Sequence, residues 1–180
     1  MRPTRQQLDA ARDKTIRDVI APGLSVLFCG INPGLYSGAT GHHFARPGNR
    51  FWPALYGSGF TPRQLAPFEE QELLELALGI TNVVARTTPG AADLTVTELR
   101  AGGTALVRKV ERYAPRFLAV LGLGAYRVAF GDRTAVVGEQ TLRIGHTRVW
   151  VLPNPSGLNA HYQLPDLVRE FSRLREAATA

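Results

Sequence analysis

The chain has 180 residues and a formal net charge of +6, carried mostly by arginine, since Lys14 and Lys109 are its lysines. That length suits one domain over residues 1–180, able to bury a core without metal or disulfide staples. Cys29 is the single cysteine, which excludes an intramolecular disulfide, a cysteine-held iron–sulfur cluster and a zinc finger. The positive charge favours a polyanionic partner, with nucleic acid first. The N-terminal stretch is charged and amphipathic, without the apolar run of a signal peptide or membrane helix. A cytoplasmic protein with no membrane segment is therefore expected.

In chain order, Thr4 predicts the cap of a helix reaching about Ile20, stopped by Pro22-Gly23. Leu24 to Cys29 is a continuous apolar run, the pattern of a strand covered on both faces. A glycine-rich irregular segment from Gly30 to Pro47 follows. "NRFWPALYGSGF" predicts a short helix with an aromatic face, and "EEQELLELAL" a second helix ended by Gly79. Ile80 to Val84 predicts a second buried strand, "ARTTPGAADLTV" a loop, and Thr97 to Arg112 a helix closed by Pro115. "RFLAVLG" is the third strand and "GAYRVAFG" a short helix. "QTLRIGHTRVWVLP" reads as a hairpin whose second arm, Arg148 to Leu152, is the fourth main strand. A last helix runs from about Pro165 to Ala178. Alternating strands and helices predict a three-layer α/β/α sandwich around a short, mainly parallel four-stranded sheet.

Two strands end in stiff Asn-Pro loops, "GINPG" and "PNPSGLN", and ligands of such sheets bind beyond the carboxyl ends of the strands. In the first loop Pro33 biases Asn32 toward an extended conformation, while Gly30 and Gly34 allow close approach of a ligand to the backbone. A rigid asparagine can orient a water, and exposed N–H groups can stabilise an oxyanion; a plain strand-to-loop turn is the alternative. In the second loop Ser156 and Gly157 offer phosphate donors. Leu158 is either a wedge for a base stack or a leucine folded onto the core. In "GHHFARPGNRFW", Phe44 could stack on a base and Arg46 and Arg50 could hold phosphates. His42 and His43 are adjacent, which does not suit two ligands of one metal, so no metal is expected. His146 reads as a turn residue, and His161 is a candidate phosphate contact.

These segments together resemble the mismatch-specific uracil/thymine-DNA glycosylases. The matching residues are "GINPG", "FARPGNRFW", "GITNVVARTTPG" and "NPSGLN", in order and at matching spacing, from about Gly23 to Tyr162. The resemblance implies a uracil-DNA glycosylase fold and cofactor-free hydrolysis of the N-glycosidic bond of a uracil-like pyrimidine flipped out of duplex DNA. By position it implies that Asn32 places the attacking water. It implies that the backbone at Ile31 and Phe44 binds pyrimidine carbonyls and that the Phe44 ring stacks on the base. Asn82 would read the pyrimidine edge and Asn154 would lie by the flipped nucleotide. Gly157, Leu158 and Asn159 would form the wedge. Asn159 and Ala160 depart from the family pattern where the opposite strand is met.

Cleavage also needs help for an oxocarbenium-like sugar, which a carboxylate could give. Asp93, the only acid between Glu75 and Glu98, is therefore a second catalytic candidate, with a helix-leading or solvated loop acid as the alternative. Neither lysine lies in a motif loop, which predicts a monofunctional enzyme that leaves an abasic site. Gly34 stands where a stricter uracil-specific relative carries a bulky aromatic, so room beside C5 and some action on thymine in mismatches are expected. A monomer is the default. Two other readings stand beside this one: a nucleotide-binding α/β hydrolase using "GINPG" or "GLGAYR" as a phosphate loop, and a non-catalytic module that binds damaged DNA through the wedge.

Overall fold

The structure is a computed structural model that describes residues 1–180. Five strands form one sheet: β1 (Val26–Gly30), β2 (Leu78–Asn82), β3 (Phe117–Leu121), β4 (Gly138–Ile144) and β5 (Thr147–Leu152). Their order is β2-β1-β3-β5-β4. Strands β2, β1, β3 and β5 run parallel, and β4 pairs antiparallel with β5. The four-stranded expectation is thus corrected to five. The first arm of the hairpin is a true edge strand, mostly exposed and polar, so it carries no apolar run to announce it.

Every residue of β1 and β3 is buried. Alternate side chains feed two cores, because successive side chains on a strand point to opposite faces. On one face Phe28, Ile80, Leu121 and Leu152 meet α3 (Phe51–Gly57) and α6 (Leu164–Thr179) through Phe51, Leu55 and Phe171. On the other, Leu27, Cys29, Val120 and Val151 meet α4 (Val96–Tyr113) and α5 (Leu123–Ala129) through Leu106, Val110 and Tyr126. This is the three-layer arrangement. Burial pushes the Cys29 thiol far up, so it behaves as a small hydrophobe.

Helix α1 (Arg5–Ala10) is far shorter than the helix the sequence predicts. Thr4 caps the helix as expected, in a capping box completed by Gln7, but tertiary bonds claim the chain beyond Ala10. Ala11 is fully buried, and Asp13 takes a left-handed φ of 62°. Asp13 N–H donates to the Thr87 carbonyl at 3.0 Å, and Thr87 N–H donates to the Lys14 carbonyl at 2.8 Å. Val19 then bridges Ile80 on the edge of β2. β2 starts two residues earlier than predicted because Ala77, at φ 57°, ends the preceding 3-10 helix (Pro67–Leu76). Gly79 lies inside the strand, where a Cβ would come within 2.4 Å of the Val19 carbonyl. The glycine-rich segment after β1 holds one short helix, α2 (Leu35–Thr40), that composition hides.

Candidate nucleotide site

The carboxyl ends of β1 and β2, the loop after β2 and the loop after β5 surround a cavity of about 420 Å³. Asn32, Phe44, Asn82 and Asn154 all line it, with Ile31, Gly34, Arg46, Ser156 and Leu158. Both Asn-Pro loops therefore open onto one space. The turn at "GLGAYR" is the β3–α5 junction, and its glycines stand outside that lining.

Asn32 is fixed by its nitrogen. Nδ2 donates to the Arg86 carbonyl at 3.0 Å and to Thr88 Oγ1 at 2.7 Å. A carbonyl cannot donate, so the amide orientation is set by the network. Thr88 Oγ1 in turn donates to the Gly90 carbonyl at 2.7 Å. The Asn32 oxygen is left as the free acceptor at the cavity. Arg86 is itself held by a two-toothed pair with Glu98 at 2.6 and 3.1 Å, and by Asp13 at 2.9 Å. That guanidinium keeps the Glu98 carboxyl down at about 2. Thr88, which holds the Asn32 amide, is not singled out by sequence reasoning, although it sits in the quoted "RTTPG".

Phe44 has a left-handed φ of 52°, a strained state for an aromatic residue. Its neighbours pin it there. His43 N–H donates to the buried Glu70 carboxylate at 2.8 Å, Trp52 Nε1 donates to the His43 carbonyl at 3.1 Å, and Ala45 N–H donates to Ser37 Oγ at 3.2 Å. The Phe44 ring stacks on Phe51 with centroids 4.2 Å apart, and also lines the cavity. The N–H groups of Ile31 and Phe44 find no backbone acceptor.

Asn82 is oriented by His43, whose sequence context suggests nothing beyond a metal ligand. His43 Nε2 lies 2.7 Å from the Arg17 carbonyl, so Nε2 carries the proton and Nδ1 is an acceptor. Asn82 Nδ2 donates to that Nδ1 at 3.4 Å. Burial pushes the His43 imidazole below its ordinary value, outweighing the opposite pull of the Arg17 carbonyl and of Glu70 and Asp18, and His42 adds to the lowering. Asn82 Oδ1 points over Gly30, where a Cβ would meet it at 2.6 Å and the Phe44 ring at 3.2 Å. His42 pairs with Glu70 at 3.3 Å.

The loop after β5 is built from its own side chains. Ser156 N–H donates to Asn154 Oδ1, Leu158 N–H to Ser156 Oγ, and Asn159 Nδ2 to the Asn154 carbonyl. His161 is exposed, with its N–H on Asn159 Oδ1 at 3.0 Å. Leu158 is 78% exposed, which decides against the reading that folds it onto the core. Gly157 packs on the backbone of Gly48, where a Cβ would lie 2.7 Å from the carbonyl oxygen. Arg50 braces this loop: its guanidinium donates to the Asn159 carbonyl at 3.0 Å and to the Tyr162 carbonyl, and its N–H to the Pro155 carbonyl at 2.9 Å. Arg46 is exposed and lines both the cavity and an adjoining polar groove with Ser156 and Gly157. Asp93 is not brought to the cavity. It is exposed, and its Oδ2 accepts from Gly90 N–H at 3.0 Å, a local cap.

A model of the uracil DNA glycosylase superfamily matches residues 17–177. The chain belongs to the uracil DNA glycosylase superfamily. The fold agrees with a solution NMR structure of a candidate uracil DNA glycosylase from Methanosarcina acetivorans. That protein is 16% identical, with a TM-score of 0.56 over 91% of this chain and 98% of the other. Membership supports a glycosylase-type function, and superfamily members act on DNA.

Proposed function

We propose that this superfamily member is a monofunctional, mismatch-type DNA glycosylase. It hydrolyses the N-glycosidic bond of uracil, and of some C5-substituted or mismatched pyrimidines such as thymine opposite guanine, in duplex DNA. The observation that carries the reading is the Asn32 amide, tethered by its nitrogen so that its oxygen accepts at a cavity shared with Asn82 and Phe44. Asn32 Oδ1 orients a water toward C1′ of the flipped nucleotide. The water oxygen bonds to C1′ and releases a proton to solvent, the C1′–N1 bond breaks, and its electron pair leaves with the base. The N–H groups of Ile31 and Phe44 receive the charge developing on the pyrimidine. Asn82 offers its oxygen to the ring N3–H and its second amide hydrogen to O4. Cytosine, which has an acceptor at N3, meets the wrong partner. Leu158 fills the vacated stack, and Arg46 with Ser156 holds phosphate. No lysine lines the cavity, and Lys109 is engaged by Asp18 at 2.6 Å, so the product is an abasic site. A monomer acting on cytoplasmic or nucleoid DNA, starting base-excision repair, completes the proposal.

The test is base release from duplexes carrying one G·U, A·U or G·T pair, beside single-stranded uracil and an undamaged duplex, with alkali to reveal abasic sites. Cleavage only after alkali, strongest at uracil, is expected. Binding without release at every pair would contradict the proposal.

Two expectations follow from the supports of the site. His43 takes up its proton less readily folded than unfolded, so it costs stability as pH falls below the ordinary 6.5. Base release holds through that first fall and declines only at more acid pH, where His43 of the folded protein itself takes up the proton and Nδ1 no longer accepts from Asn82. A pH–rate profile checks this, and His43→Gln should flatten the acid limb. Arg50→Ala should loosen the wedge loop and lower release from duplex DNA by roughly tenfold, with a smaller effect on single strands. Equal losses on both substrates would show that Arg50 does not act through the wedge.

A further inference from the structure

The cavity of about 420 Å³ falls in the range of sites for drug-sized ligands, about 300–1,000 Å³. A single pyrimidine ring leaves much of it open. The open part has an identifiable wall. A Cβ built on Gly34 meets nothing within 4 Å, so the cavity is open beside Gly34. Among the other residues that line the cavity are Leu8, Ile16, Tyr36, Pro89 and Ala91. Leu8 and Ile16 come from the N-terminal segment.

That segment is built into the fold rather than draped on it. Ala11 is fully buried, and Gly38 of α2 lies so close that a Cβ would sit 3.3 Å from Ala11. Thr87, one residue before the Asn32 partner Thr88, exchanges backbone bonds with Asp13 and Lys14, and its hydroxyl accepts from Lys14 N–H at 3.0 Å. The same loop therefore holds Asn32 and the N-terminal wall in one frame. Arg46 is the only charged side chain among the lining residues, and it stands with the wedge-loop residues that share the adjoining groove.

Resting on the glycosylase reading, we propose that Leu8 and Ile16 close an apolar compartment beyond Gly34, and that this compartment admits pyrimidines with linear, uncharged apolar groups at C5. Leu8 and Ile16 are then specificity-determining residues supplied by a segment outside the four motifs. An alkynyl or alkyl group reaches the compartment as the ring stacks on Phe44, whereas a C5 carboxylate finds no cation there to offset its desolvation.

The test compares release of uracil, 5-propynyluracil and 5-carboxyuracil, each opposite guanine, by the full-length protein and by Leu8→Trp and Leu8→Ala. Leu8 is only partly buried, so neither change threatens the core, and thermal melting confirms folding. The wild type should release 5-propynyluracil and discriminate against 5-carboxyuracil. The propynyluracil-to-uracil ratio should fall at least about tenfold in Leu8→Trp and rise in Leu8→Ala. An unchanged ratio in both variants, or uracil release without propynyluracil release in the wild type, overturns the compartment alone. Failure of the wild type on uracil itself removes the glycosylase reading with it.

Discussion

Replacing Asn32 by alanine is expected to cut base release by roughly 10²–10³-fold, the cost of losing one positioned polar group at a reacting centre. The loss should appear in kcat, because in the proposed reaction the Asn32 oxygen meets the water rather than the base. Stability should fall by only about 1–2 kcal/mol, since the change removes two hydrogen bonds, to the Arg86 carbonyl and Thr88 Oγ1, at a half-buried site. Asp93→Ala is the comparison. With its carboxylate on the Gly90 N–H and exposed, its removal should leave the rate within about twofold. Single-turnover rates of the two variants on one G·U duplex decide between them, and an Asp93 loss matching that of Asn32 would restore a carboxylate mechanism.

The second large effect is expected at a residue with no side chain. In Gly30→Ala the new methyl would stand 2.6 Å from Asn82 Oδ1 and 3.2 Å from the Phe44 ring. Asn82 cannot retreat freely, because its nitrogen is on His43. Phe44 cannot retreat either, because Phe51 stacks behind it at 4.2 Å. The Asn82 amide and the Phe44 ring must both shift, and if they meet the base as proposed, a displacement of that order costs about 10²-fold. Overpacking should cost about 1–3 kcal/mol of stability, within what a domain of this size withstands. The signature is a raised KM for uracil with weakened discrimination against cytosine. A folded Gly30→Ala protein with unchanged kinetics would show that Asn82 and Phe44 do not meet the base.

Much of this site was legible because its chemistry is local. "GINPG" and "NPSGLN" each end a strand, so their positions at one sheet edge follow from alternation of strands and helices. The apolar runs that became β1 and β3 were legible for the same reason, being buried on both faces. The N-terminal segment was not. Its spacing predicts a helix to Ile20, but Ala11, Asp13 and Lys14 are taken by Thr87, which lies over seventy positions away. Leu8 and Ile16 therefore reach the cavity by a route that periodicity cannot reveal. The contact of His43 with Asn82 is not legible in the sequence, because it depends on the Arg17 carbonyl fixing the tautomer, a bond between segments. Arg50 read as a phosphate contact from its charge, yet its guanidinium is spent on the carbonyls of Asn159 and Tyr162. The hairpin is legible, but its first arm, β4, is not counted into the sheet from the sequence, since an exposed edge need not be apolar.

The most direct measurement is single-turnover incubation of the wild type and Asn32→Ala with a duplex carrying one G·U pair, reading free uracil and alkali-labile sites in the same samples. Equal amounts of free uracil and abasic site are expected from the wild type, with no strand break before alkali and a rate lower by roughly 10²–10³-fold in the variant. Salt-sensitive binding of the duplex with no free uracil from either protein would contradict the glycosylase reading.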